Sequence, residues 1–168
     1  VRLVTCDVDG VLTDGRIYVD DDGRESKAFS ALDGVAVGLL ARAKIAVAWI
    51  TGSTSMAVAH RARMLGITHV ALDAHDKLAV WESLRRSLEL DAEACAHLGD
   101  DIPDIPVLRA CGFAVTVPHA GDAVRAHAHY VSEREAGHGV LREVAELILN
   151  AQGRLEEVSE AVVRRAHS

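Results

Sequence analysis

Leu3-Val4-Thr5-Cys6-Asp7-Val8-Asp9-Gly10-Val11-Leu12-Thr13-Asp14-Gly15 is the stretch on which the fold turns. Leu3 to Val8 is a short apolar run that ends in acids, and a loop bounded by Gly10 and Gly15 follows it. That combination predicts a buried strand whose carboxyl end opens into a site. Working outward, Arg16 to Val19 and Glu25 to Phe29 flank Asp20-Asp21-Asp22-Gly23, an Asp-Gly turn between β-prone runs that predicts a hairpin over about residues 16–29. Val35, Leu39 and Leu40 then support a helix, Ile45 to Ile50 a strand, and Ser53 to Leu65 a helix ended by Gly66. His69 to Leu72 reads as a strand and Asp76 to Leu88 as a helix. Cys95 to Leu98, Phe113 to Val117 and Tyr130-Val131 continue the strands, with helical segments near Pro106 to Ala110 and Asp122 to Ala126. From His138 onward, Val140, Leu141, Val144, Leu147, Ile148 and Ala151 recur at the spacing of a docked amphipathic helix. Gly153 interrupts it, and the tail to Ser168 keeps only Leu155, Val158, Val162 and Val163 as a stripe that fits a fraying helix or a partner contact. Strand and helix alternate throughout, so the expected fold class is α/β. The architecture is a Rossmann-like parallel sheet with helices on both faces, in one domain spanning residues 1–168 with a C-terminal helix and tail over about 138–168.

Composition narrows the function. The 168 residues suffice to bury roughly 70% of the surface the unfolded chain exposes, so neither disulfides nor a structural metal is needed. Aromatic residues are only 4%, too few for a stacking platform, and 18 basic against 25 acidic residues give a net charge of −7. Nucleic acid and anionic membrane are therefore excluded as partners, and an anionic substrate would require a local positive device such as a metal. The apolar run from Val35 to Ile50 is broken by Arg42 and Lys44, too short and too charged to span a bilayer. Asp7 and Asp9 interrupt what a signal peptide would keep apolar, so a cytoplasmic protein is expected. Cys6, Cys95 and Cys111 lack metal or redox spacing and read as small buried residues.

Each inner strand is expected to end in a group useful for phosphate chemistry. Asp7 and Asp9 follow the first, Thr51-Gly52 the second, and Gly99-Asp100-Asp101 the fourth, while Lys77 opens the third helix. A parallel sheet gathers such ends into one crevice. Carboxylates from two strand ends are hard oxygen ligands suited to Mg²⁺, which keeps waters and binds substrate phosphate. Beside the metal, ionised Asp7 can attack phosphorus, and Asp9 can protonate the leaving alkoxide and later activate water. The Thr51 hydroxyl and nearby backbone N–H groups hold phosphoryl oxygens, and Lys77 offsets their charge.

These segments, with Asp104 after Gly99-Asp100-Asp101-Ile102-Pro103, resemble the four ordered motifs of the haloacid dehalogenase superfamily of phosphatases. The opening Asp7 to Gly15, the hairpin, the Phe29-to-Gly34 stretch and the Gly137-to-Glu143 segment resemble its capless subfamily, which contains 3-deoxy-D-manno-octulosonate 8-phosphate phosphatase. The likeness runs from about residue 1 to about 158. It implies an aspartyl-phosphate on Asp7 and acid–base chemistry by Asp9. It implies Mg²⁺ held by the Asp7 carboxylate, the Asp9 carbonyl and Asp100, with Asp101 and Asp104 steadying the loop. Thr51, Gly52 and Lys77 would bind phosphate, and Asp33, Gly34, Ser53 and a neighbour's His138 or Arg142 would face the rest of the substrate. The resemblance also implies a homotetramer in which hairpins pack together and a neighbour covers the open site.

This chain departs from the subfamily pattern at two places. Ser53 stands where an arginine usually follows Thr-Gly, and Ala136-Gly137-His138-Gly139 stands for Gly-Gly-Arg-Gly. An arginine fork is a strong grip on a sugar-acid carboxylate, so its loss weakens the octulosonate assignment and leaves the hydrolytic core untouched; the expected substrate is a small phosphorylated sugar or sugar acid, with the octulosonate phosphate as lead beside a nine-carbon sugar-acid phosphate and other small phosphoesters. Two non-enzymatic readings compete. A receiver-like phospho-switch would carry its phosphorylated Asp after the third strand, where only Asp73 lies, and a retired interaction module would not keep all the core groups. His127-Ala128-His129 offers two rings but no third zinc ligand nearby, and His75 is expected to cap the third helix.

Overall fold

The protein is described here as a computed structural model over residues 1–165, with side chains through Val162, so the side chain of Val163 in the expected tail stripe and the whole of residues 166–168 lie outside the description. Eight strands alternate with seven helices: β1 (Leu3–Cys6), β2 (Tyr18–Val19), β3 (Glu25–Ser26), α1 (Ala31–Arg42), β4 (Ala46–Ile50), α2 (Met56–Met64), β5 (His69–Ala71), α3 (Lys77–Ser87), β6 (Cys95–Leu98), α4 (Ile105–Ala110), β7 (Phe113–Thr116), α5 (Asp122–Arg125), β8 (Tyr130–Val131), α6 (Val140–Ala151) and α7 (Leu155–Arg165). Short 3₁₀ turns at Ala92–Ala94 and Ile102–Asp104 precede β6 and α4.

Six strands form one parallel sheet in the order β5-β4-β1-β6-β7-β8, and β2 and β3 form a separate antiparallel pair. The chain winds outward from β1 in both directions, so the end of β1 lies where strand order reverses, the place at which open α/β sheets bind ligands. Register fixes the consequence: Cys6 lies opposite Trp49 of β4 and Leu98 of β6, so the residues that follow all three strands emerge together. β1 is buried throughout, as a strand covered by helices on both faces must be. α1, α6 and α7 pack on one another as one layer, and α3 packs on α4 as another.

Several boundaries differ from the periodicity. β1 stops at Cys6 rather than Val8, because the Val8 carbonyl accepts the N–H groups of Leu12 and Thr13 and turns the chain out of the sheet. α2 begins at Met56 rather than Ser53, since the N–H of Ser53 binds Thr51 Oγ1 and that of Ser55 binds Ser53 Oγ; hydroxyl turns of this kind compete with the helix. The hairpin is shorter than expected, with two residues per strand and a turn held by Asp20 Oδ1, which accepts from Asp22 and Arg24 N–H. Val35 is 45% and Leu147 39% exposed, so neither belongs to the buried stripe assigned to it. In α6 the stripe widens instead to Ala145 and Leu149. The tail does not fray within the described residues: α7 lies against α1 and α6, with Val158 buried and Leu155 and Val162 packed on the core.

Candidate active site

Asp7 directly follows β1 and remains tied to the sheet, its N–H donating to the Leu98 carbonyl at 2.8 Å. Thr51 and Gly52 follow β4, Asp100 and Asp101 follow β6, and Lys77 opens α3, whose N-cap Asp76 accepts from the Ala79 N–H. His75 does not take that capping role; it is exposed and paired with Asp73. Together Asp7, Asp9, Thr51, Gly52, Ser53, Lys77, Asp100, Asp101 and Asp104 line one cleft of about 320 Å³. A larger groove of about 610 Å³ beside β5 is mainly apolar and holds none of these groups.

A buried charge chain runs along the cleft floor. Lys77 Nζ lies 2.9 Å from Asp7 Oδ1 and 2.7 Å from Asp104 Oδ1. Asp104 also meets His97 Nε2 at 3.2 Å, and His97 Nδ1 lies 2.8 Å from the Thr5 hydroxyl. The other Asp104 oxygen accepts from the N–H groups of Asp100 and Asp101, and Asp101 caps the 3₁₀ turn, so Asp104 locks the loop that presents Asp100. Burial pushes Asp7 up to about 7, helped by the charge of Asp104 and opposed by Lys77. Burial likewise lifts Asp100 to about 6. Burial works against the charge of Lys77, but Asp7 and Asp104 more than offset it and raise its pKa. For Asp104 the cost of burial is overcome by His97 and Lys77, which hold its carboxyl below the usual range.

The donor set fits a hard divalent cation. Oxygens of Asp7, Asp100 and Asp104 lie within 4.8 Å of one another. Asp104 is already engaged by Lys77, His97 and two N–H groups, whereas Asp100 Oδ1 is buried without a hydrogen-bond partner. A cation between Asp7 and Asp100 would satisfy that oxygen and offset the burial that raises both carboxyls. Gly10 keeps the space open: its φ is +90°, and a Cβ there would lie 2.1 Å from Asp100 Oδ2.

Asp33 and Gly34 lie away from the cleft, and His138 and Arg142, expected from a neighbour, also lie away from the cleft of their own chain. Asp33 is buried between α1 and α6, where it accepts the Arg142 N–H at 3.0 Å, and Gly34 packs near Arg61 and Leu65. The Arg142 guanidinium is paired with Glu146. Exposed His138 lines a separate hollow with Asp14, Arg16, His119 and Glu135. The two histidines of the His127–His129 run have separate partners: His127 meets Arg109, and His129 Nδ1 accepts from the Ala114 N–H.

Two functional-looking residues escaped sequence reasoning. Lys27 Nζ lies 2.6 Å from Asp9 Oδ1 and 2.6 Å from Glu25 Oε1. The signal was Glu25-x-Lys27, a charge pair at the i, i+2 spacing that puts both side chains on one face of a strand. His97 gave only the weak signal of a polar residue inside an apolar strand.

Comparison with known proteins settles the family. A family model described as haloacid dehalogenase-like hydrolase matches residues 62–144. The 3-deoxy-D-manno-octulosonate 8-phosphate phosphatase of Yersinia pestis is 42% identical over 156 residues, covering 93% of this chain and 83% of the relative. The chain belongs to the haloacid dehalogenase-like hydrolases. Its Escherichia coli K12 relative of the same name is 40% identical over 157 residues, covering 94% of this chain and 84% of that one. The crystal structure of the Moraxella catarrhalis phosphatase in complex with magnesium ion, phosphate ion and KDO superimposes with a TM-score of 0.93 at 38% identity, covering 96% and 93% of the two chains. The hydrolase is accordingly a phosphatase, and the receiver-like and retired-module readings fall.

Proposed function

We propose that the chain hydrolyses a small phosphorylated sugar acid with Mg²⁺, through an aspartyl-phosphate on Asp7, and that the eight-carbon octulosonate phosphate is its lead substrate. The observation that carries the mechanism is the pair Asp7 and Asp100, one held by a buried lysine and the other left with an unpartnered buried oxygen. Relatives about 40% identical bear that substrate's name, and a structural neighbour holds magnesium, phosphate and KDO.

The residues divide the work. Asp7 forms a bond to phosphorus as the bond from phosphorus to the sugar oxygen breaks, and Asp9 gives that oxygen its proton. Water then attacks the aspartyl-phosphate, Asp9 takes a proton from it, and inorganic phosphate leaves with Asp7 restored. Thr51 Oγ1 already accepts the Ser53 N–H, so its own hydrogen is free for a phosphoryl oxygen. Lys77 has three N–H donors and spends two on Asp7 and Asp104, which leaves one for the phosphoryl group. Asp7, the Asp9 carbonyl and Asp100 would hold Mg²⁺, which supplies charge neutralisation at the phosphoryl oxygens.

Ser53 lines the cleft and brings a hydroxyl where an arginine would bring a fork. Each charge-assisted bond lost with an arginine is worth about 1.5–3 kcal/mol, roughly ten- to a hundredfold in affinity. Substrate preference is therefore expected to be broad among sugar-acid phosphates. The open cleft, exposed Ile17 and Val19 on the hairpin, and exposed Leu32 and Val35 on α1 support assembly into a homotetramer that brings a neighbour's His138 and Arg142 over the site. Free, buried Cys6, Cys95 and Cys111 suit a reducing cytoplasm, and among the described residues no helix is long and apolar enough to cross a membrane. A steady-state screen of phosphorylated sugars and sugar acids, with and without chelator, tests the reading. The expected result is chelator-sensitive turnover with the highest kcat/KM on a sugar-acid phosphate, and a preference for a nucleotide or a phosphoprotein overturns it.

A further inference from the structure

Lys27 is out of place for a lysine. It sits on a hairpin whose strand residues are exposed, yet its own side chain is only 2% exposed. Lysine is almost never that buried unless paired. Its partners are Asp9 Oδ1 and Glu25 Oε1, each at 2.6 Å, and burial of its charge is offset by the hydrogen bonds it donates to both, which raise its pKa. Asp9 Oδ1 also accepts from the Thr13 hydroxyl at 3.3 Å. Both contacts fall on Oδ1, so Oδ2 is the oxygen left to exchange a proton with substrate.

We propose that Lys27 is a positioning residue for leaving-group protonation: by gripping Asp9 Oδ1 from the hairpin, it fixes the orientation in which Asp9 meets the departing sugar oxygen. The proposal rests on the reading of Asp9 as proton donor given above. The hairpin is thereby part of the catalytic apparatus. A two-stranded ribbon of two residues per strand has little stability of its own. What ties it to the domain is Lys27 on Asp9, the Tyr18 hydroxyl on Asp14 at 2.9 Å, and Phe29 stacked on Trp49 with ring centroids 5.8 Å apart. Whatever moves the hairpin moves the grip on Asp9.

Leaving groups separate positioning from simple structural support. A nitrophenolate departs without a proton, whereas a sugar alkoxide needs one, a contribution of about 10²- to 10⁴-fold. The value of kcat/KM reports only the steps through cleavage of the ester, so later hydrolysis of the aspartyl-phosphate does not mask the difference. Lys27→Met keeps the length of the stem and removes the grip. Parent, Lys27→Met and Asp9→Asn are to be assayed with Mg²⁺ on p-nitrophenyl phosphate and on a primary alkyl sugar phosphate.

Lys27→Met is expected to lose roughly tenfold to a hundredfold more kcat/KM on the sugar phosphate than on the aryl phosphate, in the same direction as Asp9→Asn. Equal losses on the two substrates, or none on the sugar phosphate, overturn the proposal when Asp9→Asn does discriminate. If Asp9→Asn itself lowers both equally, the reading of Asp9 fails instead. Should Lys27→Met lose the circular dichroism of the folded parent, Lys27→Gln, which keeps an N–H donor, is judged by the same comparison. Its discrimination is expected to lie between parent and Asp9→Asn, and equal losses again overturn the proposal.

Discussion

Asp7, Lys77 and Asp104 show how a single residue's surroundings decide its chemistry. Asp104 is the most enclosed of the acids in the cleft, and its partners His97 and Lys77 keep it charged, so its work is to hold others still. Asp100 is only partly buried, but its Oδ1 is enclosed without a hydrogen-bond partner, which makes it the oxygen suited to a cation. Gly10 leaves the space beside it free of side chain. Gly10→Ala would place a methyl 2.1 Å from Asp100 Oδ2 and strain a backbone at φ +90°. It is expected to cost about 1–3 kcal/mol of stability and to abolish the rise in melting temperature that Mg²⁺ gives the parent. Thermal melts of both proteins across a Mg²⁺ titration check this, and an unchanged Mg²⁺ response contradicts it. Asp7, Asp9, Thr51, Lys77 and Asp100 were legible as candidates from order and spacing because each follows a strand or opens a helix, whereas Asp104 came only with the family resemblance. Lys27 and His97 were not, since their surroundings come from burial against groups distant in sequence: Lys27 follows a two-residue hairpin strand outside the main sheet, and His97 lies inside β6.

At the scale of elements, periodicity found every sheet strand and the long helices but left α7 between a fraying helix and a partner contact, and it misplaced ends because hydrogen bonds at Val8 and Ser53 decide where β1 stops and α2 starts. It also missed how α1 and α6 join. Asp33, expected at the substrate, instead receives the N–H of Arg142 at the start of α6. Burial lifts its carboxyl to about 6 even though the N–H groups of Arg142 and Leu141 pull it down. Folded protein thus keeps a proton that the unfolded chain releases near 4, so stability falls as pH rises from about 4 to about 6. Asp7 and Asp100 act in the same direction in metal-free protein. Asp33→Asn, which keeps an acceptor oxygen, is expected to leave a shallower fall. Urea midpoints of metal-free parent and variant at several pH values in that range read it directly, and identical slopes would remove Asp33 from the account.

For the whole molecule, the proposed homotetramer would join the open cleft to the exposed apolar residues of the hairpin. A chain that covers its site with a neighbour need not fold a lid of its own, and exclusion of water favours phosphoryl chemistry. Ile17→Asp with Val19→Asp is expected to convert a tetramer to smaller species in light scattering while circular dichroism stays that of the parent; a parent already monomeric at micromolar concentration contradicts this assembly. The central claim, covalent catalysis on Asp7, is tested most directly by mass spectrometry of the protein quenched in acid during turnover of a sugar-acid phosphate with Mg²⁺. The account predicts a species heavier by one phosphoryl group, with the added mass on the peptide containing Asp7 and absent from Asp7→Asn. Product formation with no phosphoryl group on that peptide, or with one on another residue, would contradict it.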